Sequence, residues 1–549
     1  MGNQSNVDYY SSQSDNTTDA YTTKKLEGPQ TISELNLCYT RGQGKLVIDP
    51  LEAEAEFGKE LAQKLKLDKS GTVVLWPQPD DSPDDPQNWS PRQKMIILVI
   101  LTMAAFVPDS TSAVGIAALF NLANEYNTTP GVVNDVSSNW SIFLLGPGGI
   151  VAVLFARRYG RLPILFWSQV IGLAFLIGCA VAPTLPVFAA MRCLSSFFAT
   201  APQVMGLYVV NDLYPFHEQA RMLNLWTCGY IISPFVSPWL FGYLTASIYY
   251  RWAYWIAIIY MSIVVVLIAV FMEETIYDRF STVKSGRSQG FHARFKSLIG
   301  VTGFHTAKYR ESWGEVVWSI VQLLGKPHLL AVLLYLGIIF GFAIGINVTN
   351  PVFVLSAPPL GYGLSAYASA SLYATPVVAV ILGEVLGRYL NDFLANRLTR
   401  RNKGIFEPEM RLWTLYVGLP PFIVGFVLLG AAFEKKLHLA ILVLGWGLAQ
   451  IAVMISTVAC YNYANNAFAF PGEISALLNQ ARILGGFAIP YFQVEWASSR
   501  GALQTFGCEA AIVAGLFILV VPVLQLKGKT LRAKFASTPS SLPDIQTPK

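Results

Sequence analysis

The sequence predicts an all-α membrane protein in which twelve transmembrane helices form two pseudo-symmetric six-helix halves. Three observations point there. About a dozen apolar stretches lie between Ile96 and Leu526, and those at 164–182, 256–272 and 329–346 match the roughly 20 residues that a hydrocarbon core of about 30 Å requires. Charged residues make up 13% of the chain and hydrophobic residues 53%, whereas soluble domains carry about 25% charge. The short loops also divide by charge, with arginine concentrated on every second one.

The elements follow in chain order. Residues 1–93 are expected to form a cytoplasmic, largely disordered arm. Its first part, 2–23, is rich in Ser, Asn, Asp and Thr, too polar to bury a core. Leu51, Phe57, Leu61 and Leu65 fall at helical spacing and predict a short amphipathic helix over 50–67. A proline-broken, acidic lead-in runs from Trp76 to Trp89. Residues 1–30 lack the apolar run of a secretory signal, so the first span is expected to direct insertion. The N-terminal half, 94–272, should hold spans 1 to 6 near 94–112, 137–156, 162–182, 184–208, 224–247 and 252–272. A basic, polar central loop occupies 273–328. The C-terminal half, 329–526, should hold spans 7 to 12 near 329–352, 365–390, 412–432, 437–460, 472–497 and 503–525. A short polar tail, 527–549, closes the chain.

Positive charge sets the orientation. Arg157, Arg158, Arg161 and Arg221 share one side with the central loop and with Arg388, Arg397, Arg400, Arg401 and Arg411. The other side offers Arg251, Lys435, Lys436 and Arg500. Both termini are therefore expected in the cytoplasm. The sequon Asn127-Thr128-Thr129 falls in the longest loop of the opposite side and makes Asn127 a glycosylation candidate. The plasma membrane is the default address, with a vacuolar membrane as the alternative.

The halves show faint internal likeness. Arg157-Arg158-Tyr159-Gly160-Arg161 after span 2 is echoed by Gly387-Arg388-Tyr389 after span 8. Asn211-Asp212 with Asn224 around the span 4–5 turn is echoed by Asn465-Asn466 with Asn479 around the span 10–11 turn. Paired halves of this kind place a transport site at their interface.

Three motifs carry a family resemblance. Pro83-Asp-Asp-Pro-Gln-Asn-Trp89 precedes span 1, Ala156-Arg-Arg-Tyr-Gly-Arg161 follows span 2, and Gly229 with Ser233-Pro234 and Ser237-Pro238 lies in span 5. With them the chain resembles the major facilitator superfamily, in its twelve-span fungal drug:proton antiporter-like branch. The run Arg400-Arg-Asn-Lys-Gly-Ile-Phe-Glu-Pro-Glu-Met-Arg-Leu412 resembles a subgroup that includes suggested polyamine and cation carriers. Two departures stand out. Arg157 occupies the place of the loop motif's acid, and Ser233 replaces the glycine before the span 5 proline, a small residue that still permits close helix approach.

Ionisable groups inside a span cost about 2.5–3.5 kcal/mol on insertion scales and face the bundle interior. Arg192 in span 4 matches the family's span 4 arginine and by resemblance is a candidate for proton coupling or substrate binding. Asp109, after Pro108 in span 1, is a candidate proton carrier or cation contact, and Arg482 in span 11 a candidate ion-pair partner or substrate contact. The resemblance implies a cavity lined by spans 1, 4, 7 and 10. Asn347, Asn350, Tyr373, Tyr461 and Asn462 could orient a ligand there through a few hydrogen bonds. Asp212, Glu384, Arg388 and Asp392 read as gate residues with Arg157, Arg158, Gly160 and Arg161; Gly229, Ser233 and Pro234 read as the kinked packing motif of span 5. Glu509, near the outer edge of span 12, is expected to be solvated.

Enzyme signatures are missing: the sequence has no Walker loop, no H-E-x-x-H and no paired-cysteine spacing among its 6 cysteines. No cofactor, metal or nucleic-acid partner is expected, and lipid surrounds a monomer. The reading is a secondary transporter that moves a small organic solute by alternating access. Proton-coupled efflux of a xenobiotic or secondary metabolite is its favoured form. Proton-coupled uptake of a cation or polyamine is the alternative, and a transport-dead membrane sensor the third.

Overall fold

The computed structural model describes residues 31–535, except 33–34, 37–45, 48, 69, 278, 280–290, 359–360, 403–404 and 469. The polar stretch 2–23 lies outside the described residues. Spans 1 to 4 are Pro91–Ala117, Pro130–Tyr159, Arg161–Ala180 and Leu185–Leu213; spans 6 to 10 are Arg251–Phe271, Pro327–Leu355, Ala366–Arg401, Pro408–Lys435 and Leu439–Ala467; span 12 is Ala502–Lys534. These 10 helices are long and apolar enough to cross a bilayer. Span 5 is Phe216–Ser247 and span 11 is Pro471–Ala488 continued by Pro490–Arg500. The last two are the more polar because Asn224, Thr227, Glu473, Asn479, Arg482 and Gln493 are buried against other helices rather than turned to lipid.

Most helices outrun the apolar stretches that predict them. Span 8 was expected to end near 390 and continues to Arg401, and span 5 starts at Phe216 rather than near 224. Caps and proline at the first turn fix several starts: Ser90 Oγ accepts from Gln93 N ahead of Pro91, and Ser365 Oγ accepts from Ala368 N. The central stretch, read as loop, contains the helices Phe291–Ile299, Val301–Thr306 and Trp313–Leu324. A capping box between Ser312 and Glu315 opens the last of these.

Packing repeats with a shift of six spans. Span 1 packs on span 5, span 3 on span 4, span 2 on span 4 and span 3 on span 6; span 7 packs on span 11, span 9 on span 10, span 8 on span 10 and span 9 on span 12. The halves meet along span 2 against span 11 and span 5 against span 8. Glycine permits the closest approaches. A Cβ on Gly337 of span 7 would lie 2.8 Å from Ala481 O of span 11.

Part of the arm is built into this bundle. Leu61, Leu65, Val74 and Trp76 share an apolar cluster with Phe216, Ala395, Phe406 and Met410. Residues 46–47 pair antiparallel with 405–406, and Arg279 clasps Asp85 through two 2.8 Å bonds. The amphipathic helix is broken and shorter than its spacing implied: Gly58, with φ 85°, divides it into Pro50–Phe57 and Lys59–Ala62, and Leu51 is 78% exposed.

Candidate functional site

The centre of the bundle holds one charge pair across the two halves. Pro108 and Asp109 sit inside span 1, and Arg482 sits on span 11. Arg482 Nη1 donates to Asp109 Oδ2 at 2.9 Å, with both side chains buried. Arg482 Nη2 donates to Gln203 Oε1 at 3.2 Å and Asn479 Oδ1 at 2.8 Å. Gln203 Nε2 in turn donates to Asp109 Oδ2 at 3.0 Å. The guanidinium lies between the rings of Tyr230 and Phe340, 4.9 and 5.0 Å from their centroids. Aromatic faces and a carboxylate together lower the cost of holding this cation out of water.

Beside the pair lies a cavity of about 20 Å³, walled by Ser112, Ile116, Ile142, Phe340, Ile344 and Asn347. That is room for about one water. An organic solute needs this space to widen.

The sequence-derived residues distribute unevenly around this centre. Asn347 Nδ2 donates to Pro234 O across the seam at 3.2 Å, and Tyr373 OH donates to Asn347 O at 2.7 Å. Asn350 is buried one turn further along span 7. Tyr461 packs 6.3 Å from Tyr230 by ring centroids, and Asn462 Nδ2 donates to Asn224 Oδ1 at 3.2 Å. Arg192 does not line the cavity; its guanidinium donates to Ser112 O, tying span 4 to span 1, and packs near Phe188 and Tyr254.

A second cluster closes the face that carries the arginine loops, here the basic face. Arg157 pairs with Glu473, at the start of span 11, and with Glu311, ahead of Trp313–Leu324. Arg157 Nη1 also donates to Ser319 Oγ at 3.0 Å, and Tyr208 OH donates to Glu473 Oε2 at 2.8 Å. Arg161 pairs with Asp212 inside the N-terminal half. Arg158 Nη1 donates to Glu311 O at 2.7 Å. Gly160 has φ 113° and ψ 157°, a region essentially closed to other residues. A Cβ there would lie 2.6 Å from Glu274 Oε2, and that carboxylate accepts the Arg161 and Leu162 amides at 3.1 Å. Asn211 and Asn465 exchange two amide bonds across the seam at 2.7 and 3.2 Å.

Glu384, Arg388 and Asp392 follow at four-residue spacing along span 8. Asp392 pairs with Arg411 at 3.3 Å within the C-terminal half, and the structure does not bring this trio to the Arg157 cluster. In span 5, Gly229 abuts Thr102 of span 1, where a Cβ would overlap the threonine methyl. Ser233 Oγ donates to Tyr230 O at 2.7 Å, and Pro234 stands within the helix. On the face opposite the arginine loops, Tyr491 donates to Asp135, and Tyr243 OH lies 2.6 Å from Ser371 Oγ. Asn127 is exposed there with φ 50°.

Sequence reasoning missed Glu473 and misplaced Glu509. An acid in the first turn of a helix is unremarkable, and only the fold shows that Glu473 is fully buried against Arg157. Glu509, expected to be solvated, is also fully buried, and Gln493 Nε2 donates to it at 3.0 and 3.2 Å. Span 11 covers a position that helix length alone puts near the edge.

Residues 96–490 match the model of the Major Facilitator Superfamily. The chain belongs to this superfamily. Among curated members it is similar to the MFS transporter fsa7 of Fusarium sp. (strain FN080326), 25% identical over 74% of this chain and 78% of the relative. It is also similar to the efflux pump radE of Floropilus chiversii, 23% identical over 90% of this chain and 88% of the relative. Among solved structures the proton:xylose symporter XylE aligns with a TM-score of 0.58 at 14% identity, over 79% of this chain and 97% of the symporter. The human organic anion transporter MFSD10 aligns at 0.54 and 14%, over 79% of this chain and all of that protein (100%). The fold is therefore the twelve-helix major facilitator architecture, and the protein is a multi-pass membrane transporter.

Proposed function

We propose that this transporter exports a small, largely apolar organic solute, neutral or acidic, in exchange for protons. The observation that carries the proposal is the buried Asp109–Arg482 pair joining the halves beside an apolar cavity wall. A proton on Asp109 would remove its charge and loosen the pair, and re-pairing would draw spans 1 and 11 together again. Arg482 also puts a fixed positive charge where a polyamine would bind, and Asp109 is already engaged. That weighs against cation uptake. The relatives named as an efflux pump and as the MFS transporter of a trichosetin biosynthesis cluster support export of a secondary metabolite. In this reading the basic face, both termini and the central helices are cytoplasmic, Asn127 carries a glycan on the other side, and a monomer sits in the plasma membrane.

Expression in a host lacking its own pumps tests this. Carboxyfluorescein as an acidic probe, a neutral apolar dye and radiolabelled spermidine would be followed with and without a proton gradient. Lower accumulation of the acidic or neutral dye, dependent on the gradient and lost in Asp109→Asn at normal surface expression, is the expected result. Gradient-driven spermidine uptake with no dye export would overturn it.

A further inference from the structure

A second carboxyl lies sealed in the C-terminal half. Glu509 on span 12 is fully buried, as are its neighbours Thr505, Phe506, Ala510 and Val513. It accepts from Gln493 Nε2, whose own Oε1 lies 2.9 Å from Thr349 Oγ1 of span 7. The same hydroxyl lies 2.8 Å from Gly345 O. Gly345 leaves room for the amide, since a Cβ there would sit 3.0 Å from Gln493 Oε1. One polar chain thus joins spans 12, 11 and 7. Among the described residues, no ion pair reaches Glu509. Span 7 brings no charged group to its outer half, and Glu434 of span 9 is taken up by the Leu503 amide at 2.9 Å. Tyr491, Glu495 and Arg500 on Pro490–Arg500 are exposed, and Cys508 is the adjoining titratable group on span 12 itself.

Ionised, Glu509 would be a carboxylate deep in the bundle with a single neutral amide for compensation, the Gln493 Nε2 that reaches its two oxygens at 3.0 and 3.2 Å. Protonated, it carries no charge to compensate and still accepts from that amide.

We propose that Glu509 is a proton-binding site, separate from the Asp109–Arg482 pair. It takes its proton from the water on the face opposite the arginine loops; an O–H bond forms, the charge on Glu509 goes to zero, and the Gln493 amide reports the change to span 7 through Thr349. The proposal rests on the proton-coupled reading above and supplies a second place for the coupling ion.

Infrared difference spectra of the purified full chain in detergent, recorded through a pH titration, test it. The wild type should show a protonated-carboxyl C=O band that fades as pH rises. Glu509→Gln, which keeps a donor and an acceptor in place, should lack the band, and Asp109→Asn should retain it. Gln493→Leu should move the band to higher frequency because its hydrogen bond is gone, a signature that a merely structural glutamate would not give. A band that persists in Glu509→Gln, or a wild type with no titrating buried carboxyl, overturns the proposal. Wild-type protein showing this band but no proton-driven dye export would sink the proton-driven export reading and leave the proton site standing.

Discussion

Replacing Glu473 by glutamine removes one charge from the contact that shuts the basic face. Glu473 is fully buried, while Arg157 is 16% exposed and keeps Glu311 and Ser319 as partners. Breaking a buried pair outright costs about 3–5 kcal/mol. Because Arg157 keeps those partners, the loss should fall to about 2 kcal/mol, the worth of a hydrogen bond to a charged group. At 1.4 kcal/mol per factor of ten, that raises the population open on the basic face about 30-fold. The opening can be read by placing a single cysteine at Asn465, at the seam, in a background without the native cysteines. Its labelling rate by a maleimide from the basic face should rise by about that factor in Glu473→Gln. The exchanged pair Arg157→Glu with Glu473→Arg should return the rate toward the parent value, since attraction survives with its signs reversed. An unchanged rate in Glu473→Gln, or an exchanged pair no better than Arg157→Glu alone, would refute the latch.

Two further outcomes follow from local geometry. Gly160→Ala must hold a Cβ in a conformation costing about 1–3 kcal/mol and press it against Glu274, so its unfolding temperature in detergent should drop; an unchanged transition would contradict the backbone geometry. Burial would raise the Glu125 carboxyl, but the Arg251 guanidinium and the hydroxyls of Tyr250 and Tyr249 outweigh it and hold the carboxyl below its usual range. A depressed folded value gives stability that is present above the ordinary carboxylate pKa of about 4.3 and fades as pH falls through the lower folded value. Glu125→Gln should therefore be less stable than wild type at pH near neutrality and converge with it in acid, as read by thermal unfolding at a series of pH values.

Much of the site was legible in part. Asp109 and Arg482 were visible as charges inside apolar spans, because burying an ion in hydrocarbon is costly enough to mark it. Their pairing was not, since 373 positions separate them. Arg157 read as a lost acid. In the folded chain its counter-charge is supplied from the other half by Glu473, a residue with no local signature. The likeness between the span 4–5 and span 10–11 turns was visible in the asparagines, and folding brings Asn211 against Asn465 and Asn462 against Asn224.

By itself the sequence determined how many spans cross the bilayer, roughly where they lie and that lipid is their solvent, because the length and hydrophobicity of a span are local properties that each segment carries alone. Which polar side chain meets which was decided only when the halves packed. A hydrogen bond or ion pair between spans 1 and 11, or among spans 7, 11 and 12, depends on distances and orientations in space, and nothing in the spacing along the chain encodes them. Glu509 shows the difference most plainly: its position along span 12 placed it near the outer edge, and the covering helix buries it.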